Sequence, residues 1–189
     1  VRGFARRRRD VEVTTLRFAN VVGPRVDTPM TSYFALPLVP TVLGHDARLQ
    51  FVHEDDLLDS MRRATIDSHP GTFNVAGDGI LMLSQAIRRA GRASLPVAGP
   101  FVGLIGGMVR RAGLADFSPE QVRFLTYGRG VDTTRMRERF GFEPRYTSVE
   151  AFDSFVAGRG LNTILAPERA EAVEHALGAV LTGKGVLGG

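Results

Sequence analysis

An α/β fold is predicted by three features of this sequence. The segment Thr14-Thr15-Leu16-Arg17-Phe18-Ala19-Asn20-Val21-Val22-Gly23-Pro24 is β-branched and apolar, then meets an Asn and a Gly-Pro pair, which reads as a buried strand opening into a loop. Shorter strand-like runs at 49–53 and 72–77 are separated by a helix-like segment, the alternation expected of an α/β chain. Acidic or hydroxyl residues head most of the helix-like segments, as helix N-termini require. In open α/β sheets ligands bind outside the carboxyl ends of the strands, so the tip at Asn20 is the first place to seek a site.

The elements follow in order. Residues 1–9 read as the end of a helix, with Phe4 inward and Arg6 to Arg9 near the C-terminus, where cations suit the dipole. Asp10 leads into the strand 11–20. Gly23 to Pro29 is a loop, and residues 30–43, interrupted by Pro37 and Pro40, read as a short helix and then an extended piece. Gly44 to Arg48 is a turn and Leu49 to His53 a short strand. Glu54-Asp55-Asp56 opens a helix through Leu57, Leu58, Met61 and Ala64, with the acids capping its first turn. Thr72 to Gly77 is a strand, and Leu83 to Ala90 a helix with Ser84 as its N-cap. The apolar stretch Leu95 to Val109, broken by Pro96 and Pro100, reads as a loop plus a buried or interfacial helix. Ser118-Pro119-Glu120 starts a helix with an N-cap, a proline at the first position and then an acid. Further helices open at Val131 to Thr134, closed by Gly141, and at Thr147, running to Gly158. Residues 167–181 read as an amphipathic helix, with Ala172, Val173, Ala176, Leu177 and Val180 on one face. The tail 183–189 is expected to be disordered.

Composition narrows the setting. The 189 residues are 43% hydrophobic and 23% charged, ordinary for a globular chain. The absence of cysteine excludes disulfides and thiolate metal sites and makes a reducing cytoplasm the expected location. No apolar run reaches the ~18 residues of a membrane span. No His/Asp/Glu set has metal-ligand spacing. Net charge is +4, and Lys184 is the sole lysine beside many arginines. That excess calls for nucleic acid to be weighed as a partner, but it is also what a GC-rich genome writes, and the second reading is preferred.

Four segments in order resemble the C-terminal half of the extended short-chain dehydrogenase/reductase family, the NAD-dependent sugar-nucleotide epimerases and dehydratases. Leu16 to Pro24 resembles that family's R-x-x-N-x-x-G-P segment. Phe51-Val52-His53-Glu54-Asp55-Asp56-Leu57 resembles its F-V-H-V-D-D-L element, and Gly71 to Gly77 its G-x-F-N-V-G strand. Asp132 to Met136, followed by Phe140-Gly141-Phe142-Glu143-Pro144, resembles the closing D-x-S/T-K/R…G-F-x-P element. The resemblance covers roughly residues 1–155. It implies the C-terminal part of a Rossmann-type parallel sheet plus a small, mainly helical substrate domain. It assigns 1–27 and 51–77 to the dinucleotide-binding part and 28–50 and 78–165 to the substrate-binding part, followed by a C-terminal amphipathic helix at 166–182. The family's glycine-rich cofactor fingerprint and its Tyr-x-x-x-Lys pair lie upstream of the R-x-x-N segment. Neither occurs here: Tyr33, Tyr127 and Tyr146 all lack a lysine four residues on. The chain is therefore expected to be part of a larger NAD- or NADP-dependent epimerase, dehydratase or oxidoreductase, inactive by itself and catalytic only as the complete protein.

The resemblance also assigns roles. Phe18, Ala19 and Pro24 would border the cofactor, the strand-tip backbone orienting the nicotinamide. Asn20 would offer its amide to the substrate; stabilising the turn into Gly23-Pro24 is the competing role. Arg25 would reach a phosphate in bidentate fashion or sit exposed. His53 reads as structural. Many family members carry an arginine two residues before the aromatic of the F-V-H element. Leu49 occupies that position here, with Arg48 one residue earlier, and a one-residue shift on a strand turns a side chain to the other face. Arg48 and Arg129, with Arg123 beside them, are the candidate cations for a substrate diphosphate, while the apolar stretch Phe101 to Met108 would suit a more hydrophobic substrate. The expected partner is a small-molecule substrate, with a homodimer open to the complete protein. The alternative is a non-catalytic relative that senses dinucleotides or binds RNA.

Overall fold

The computed structural model describes residues 10–98 and 119–161, together with Gly3, Arg7, Arg8 and Phe101. Most of the 1–9 helix end, the Ser118 cap, nearly all of the 99–118 stretch, the amphipathic 166–182 segment and the tail lie outside the described residues. In chain order the elements are β1 (Thr14–Phe18), β2 (Asn20–Val22), α1 (Pro29–Ala35), β3 (Leu38–Val42), β4 (Arg48–Leu49), β5 (Phe51–His53), α2 (Glu54–Ile66) and β6 (Gly71–Val75). They continue as β7 (Leu81–Met82), α3 (Leu83–Arg89), β8 (Ala93–Val97), α4 (Pro119–Tyr127), β9 (Gly128–Arg129), α5 (Thr134–Glu138) and α6 (Ser148–Gly158). Two compact units result. One comprises Val1–Val26, Arg48–Leu81 and Arg129–Arg159; the other comprises Asp27–Ala47, Met82–Gly128 and Gly160–Gly189.

The first unit is built on parallel pairing. β1 pairs with β6 from Thr14 opposite Gly71 to Phe18 opposite Val75. β2 pairs with β5 from Asn20 opposite Phe51 to Val22 opposite His53. The long strand read from sequence is thus two pieces that change partner at Ala19, whose N–H donates to the Val75 carbonyl at 3.0 Å. Val52, Phe73, Val75, Met136, Phe140 and Phe142 form a buried cluster, with Leu16, Phe18, Val21 and Ala64 packed against it. Through that cluster Met136, Phe140 and Phe142 pack with the first unit. Phe140 and Phe142 fill the space beside β6, and Phe152 packs on Phe51 of β5.

Buried polar groups tie this unit together. Gln50 donates to the Gly77 carbonyl at 3.0 Å and accepts the Val131 N–H at 2.8 Å. The Ser148 hydroxyl accepts the Phe51 N–H at 3.2 Å and donates to the Gly77 carbonyl at 3.2 Å. Gly141 takes φ +63°, a conformation glycine adopts readily, where the chain turns after α5.

α6 begins as its sequence predicts. Thr147 Oγ1 accepts the Glu150 N–H at 3.2 Å, and the Glu150 carboxylate accepts the Thr147 N–H at 2.8 Å. Hydrogen bonds from the Thr147 N–H and then its hydroxyl hold the Glu150 carboxyl below its ordinary 4.5. A depressed carboxyl contributes stability above its unfolded value and loses it as pH falls through the folded one. Thermal melting between about pH 6 and about pH 3 is therefore expected to show the gap between wild type and Glu150→Gln closing as the solution acidifies. A gap that stays constant across the range would refute this role.

In the second unit α1 is headed by Thr28, which exchanges hydrogen bonds with Thr31, and by Pro29. β3 and β8 pair in parallel, with Pro40 opposite Leu95 and Thr41 opposite Pro96. The start of the 95–109 stretch is thus a strand rather than a loop. A two-stranded sheet tolerates these prolines because each strand has an edge on which no N–H is required. Tyr33 is buried and donates to the Pro40 carbonyl at 2.8 Å; burial pushes its phenol well above the ordinary value. α3 is capped from outside its own sequence. Asp46 accepts the Ser84 N–H at 2.8 Å and its hydroxyl at 2.7 Å, so Ser84 is a partner of the cap, not the N-cap expected.

Candidate functional site

Phe18, Ala19 and Asn20 occupy the point where the long strand changes partner, in the first unit. Phe18 is half-buried against the aromatic cluster. The Ala19 N–H is already committed to Val75, so a ring placed beside this tip would meet carbonyl and side-chain groups there rather than that donor. Asn20 is half-buried, and its side-chain amide has no hydrogen-bond partner among the described residues. The turn-stabilising role considered for Asn20 therefore has no bond among the described residues.

Pro24 is half-buried and Arg25 lies exposed at 74% beyond it. Arg25 is not idle: its guanidinium meets Glu54 and Asp55, each at 3.3 Å. Arg48 and Arg129 are exposed on hydrogen-bonded neighbouring strands, and neither makes an ion pair among the described residues. The shift read from the sequence is visible here, since Leu49 is fully buried while Arg48 faces solvent. Arg123 is exposed on α4.

His53 is structural, as its position suggests. It is 3% exposed, its Nδ1 accepts the Asp55 N–H at 3.1 Å, and its ring stacks on Tyr146 with centroids 3.9 Å apart. With Nδ1 spent as an acceptor, the hydrogen-bond pattern puts the neutral ring's proton on Nε2, 3.0 Å from the Ser154 hydroxyl. His53, not the acids, is thus the N-cap of α2. The acids read as caps work elsewhere. Asp55 pairs with Arg25, and the buried Asp56 accepts the backbone N–H groups of Arg145 at 2.9 Å and Tyr146 at 3.1 Å. No cluster of ligating side chains that could hold a metal exists among the described residues, and no described helix is long and apolar enough to cross a membrane.

Sequence reasoning did not single out Glu54. A signal was present, because Glu54 stands where the F-V-H-V-D-D-L element has valine. Gly158 and Ser154 carried no comparable local signal.

The parallel strands, their partner change and the helices packed on them define a mixed α/β protein whose described part is similar to part of a Rossmann fold. Comparison with known structures makes this specific. The chain superposes on UDP-glucose 4-epimerase of Thermotoga maritima, solved with UDP-glucose, with TM-score 0.55 and 19% identity, over 82% of this chain and 48% of that one. The Bordetella bronchiseptica enzyme WbmG, in complex with NAD and UDP, gives TM-score 0.53 and 17% identity over 84% of this chain and 48% of that one. dTDP-glucose 4,6-dehydratase of Bacillus anthracis, in complex with NAD, gives 0.52 and 16% over 79% and 45%. At these identities the likeness is one of fold. No family model matches the chain. In sequence it is 50% identical over 174 residues to the uncharacterized protein Rv0501 of Mycobacterium tuberculosis, covering 92% of this chain and 46% of that protein. The uncharacterized protein Rv2047c of the same organism is 29% identical over 153 residues, 79% of this chain and 16% of its own length. The chain thus spans about half the length of the first of these relatives.

Proposed function

We propose that this chain is the substrate-binding, C-terminal part of an NAD(P)-dependent epimerase, dehydratase or oxidoreductase acting on a sugar nucleotide or a related hydroxy or keto substrate. The observation that carries the reading is the Asn20 amide at the strand's partner change, without a hydrogen-bond partner among the described residues, in the same unit as two exposed arginines that make no ion pair among those residues. Phe18, Ala19 and Pro24 would border the cofactor, which supplies hydride transfer when bound. This chain's residues would meet only the edge of that group, at the strand-tip backbone; the 189 residues contain no glycine-rich phosphate fingerprint followed by Tyr-x-x-x-Lys. No residue of this chain is assigned to the cofactor phosphates or to the acid/base step. Asn20 would fix substrate hydroxyls, and Arg48 and Arg129 would take the diphosphate through charge-assisted hydrogen bonds. Arg25 could join them only by exchanging its two carboxylates for phosphate oxygens.

Calorimetric titration of the full chain with UDP-glucose tests this. The expected result is saturable binding that Arg129→Ala and Arg48→Ala each weaken by about tenfold, the loss of one charged hydrogen bond of about 1.5 kcal/mol. Absence of binding by the wild-type chain, or binding that neither substitution weakens, would overturn the proposal.

A further inference from the structure

The loop that follows Asn20 is gripped from two sides. At the head of α2, Glu54 Oε1 lies 3.3 Å from both the backbone nitrogen and the guanidinium Nε of Arg25, each of which donates to it. The second arm of Arg25 reaches Asp55 at 3.3 Å. A Cβ on Gly23 would lie 2.6 Å from Glu54 Cγ and 2.7 Å from Cδ, so the glutamate side chain crosses directly over a position where any other residue would collide with it. At the tail of α6, a Cβ on Gly158 would lie 2.4 Å from Pro24 Cβ, and Arg159 donates to the Val26 carbonyl at 2.7 Å. The bond from His53 to Ser154 joins the two gripping helices to each other.

We propose that Glu54 is a positioning residue that holds the loop Gly23–Val26 in a fixed shape in the free protein, and so sets the frame in which the Asn20 amide meets its ligand. Glu54 holds the loop through both its backbone and its one cation, and is itself largely shielded, at 13% exposure. It also keeps the charge of Arg25 within the loop, whereas Arg48 and Arg129 make no ion pair among the described residues. The consequence for ligand affinity rests on the function proposed above; the consequence for the loop does not.

Hydrogen exchange on the free full chain separates the two. Glu54→Ala removes both the acceptor and the charge. The Arg25 amide is expected to exchange about tenfold faster or more, while Phe73 and Val75 in β6 keep their wild-type rates. Glu54→Gln keeps the shape and the Oε1 acceptor but not the charge, and is expected to fall between wild type and alanine. This variant also decides the matter if the alanine variant fails to fold. A wild-type Arg25 rate in Glu54→Ala, or in a folded Glu54→Gln, overturns the assignment. The same proteins are then titrated with UDP-glucose, for which Glu54→Ala is expected to bind about tenfold more weakly with partial rescue by glutamine. If the wild-type chain does not bind UDP-glucose, the proposed function falls, and the exchange rates alone still decide the role of Glu54.

Discussion

Replacing Asp56 by alanine is expected to cost about 3–5 kcal/mol of unfolding free energy, the range for removing one member of a buried charged network. The side chain is 1% exposed, and its oxygens accept two consecutive backbone N–H groups, from Arg145 and Tyr146. The Arg145 Nε stands 3.6 Å from the same carboxylate. Removing the carboxylate leaves two partly buried donors without acceptors, and the turn into α6 loses its anchor to α2. Tyr146 also stacks on His53, so the loss spreads to the N-cap of α2. Asp56→Asn retains one oxygen but points an amide donor at a second donor, and should cost about half as much. Urea unfolding of the three proteins measures this. A loss below about 1 kcal/mol for alanine would mean that water satisfies both N–H groups and that the carboxylate is not the anchor.

The second large effect is expected at Phe140, where alanine should cost about 3–5 kcal/mol. The ring is fully buried and lies parallel to Phe73, with centroids 5.0 Å apart, and the His69 ring meets its face edge-on at 5.1 Å. Its backbone carbonyl also accepts the Arg63 guanidinium at 2.9 Å, which fixes the ring's place beside α2. The loss combines transfer of the ring, the cavity left behind and about 1 kcal/mol of aromatic pairing. Phe140→Leu restores much of the volume without the pairing, and should recover more than half of the loss. Equal destabilisation by alanine and leucine would show that ring geometry rather than volume dominates the site.

These two residues also mark how far the sequence is legible. The strands themselves, the Thr147–Glu150 cap and the turn at Gly141 were readable because each depends on a pattern within a few neighbouring residues. Periodicity, cap chemistry and glycine's tolerance of positive φ act locally. The family-like segments likewise marked Asn20 and the arginines as candidates, and the exposed Arg48 beside the buried Leu49 follows from strand alternation alone.

Other assignments failed or were missing for a common reason. Asp55 and Asp56 read as caps because acids suit a first turn, yet His53 took the cap and freed both carboxylates for other partners. Asp46 caps a helix 38 residues away in sequence, Glu54 meets Arg25 at a separation of 29, and Asp56 meets Arg145 at 89. Propensity has no term for such partners, since a polar side chain near a helix end is satisfied equally well by any donor the fold brings within about 3 Å. The sequence by itself determined most of the elements, the α/β class and the strand tip where a ligand would be sought, while the parallel sheet was what the family resemblance implied. Only the tertiary structure decided which carboxylate holds which loop, that α5 packs beside β6 and α6 beside β5, and that the Asn20 amide has no partner among the described residues. Each of those is settled by which distant backbone comes close enough to complete a buried hydrogen bond.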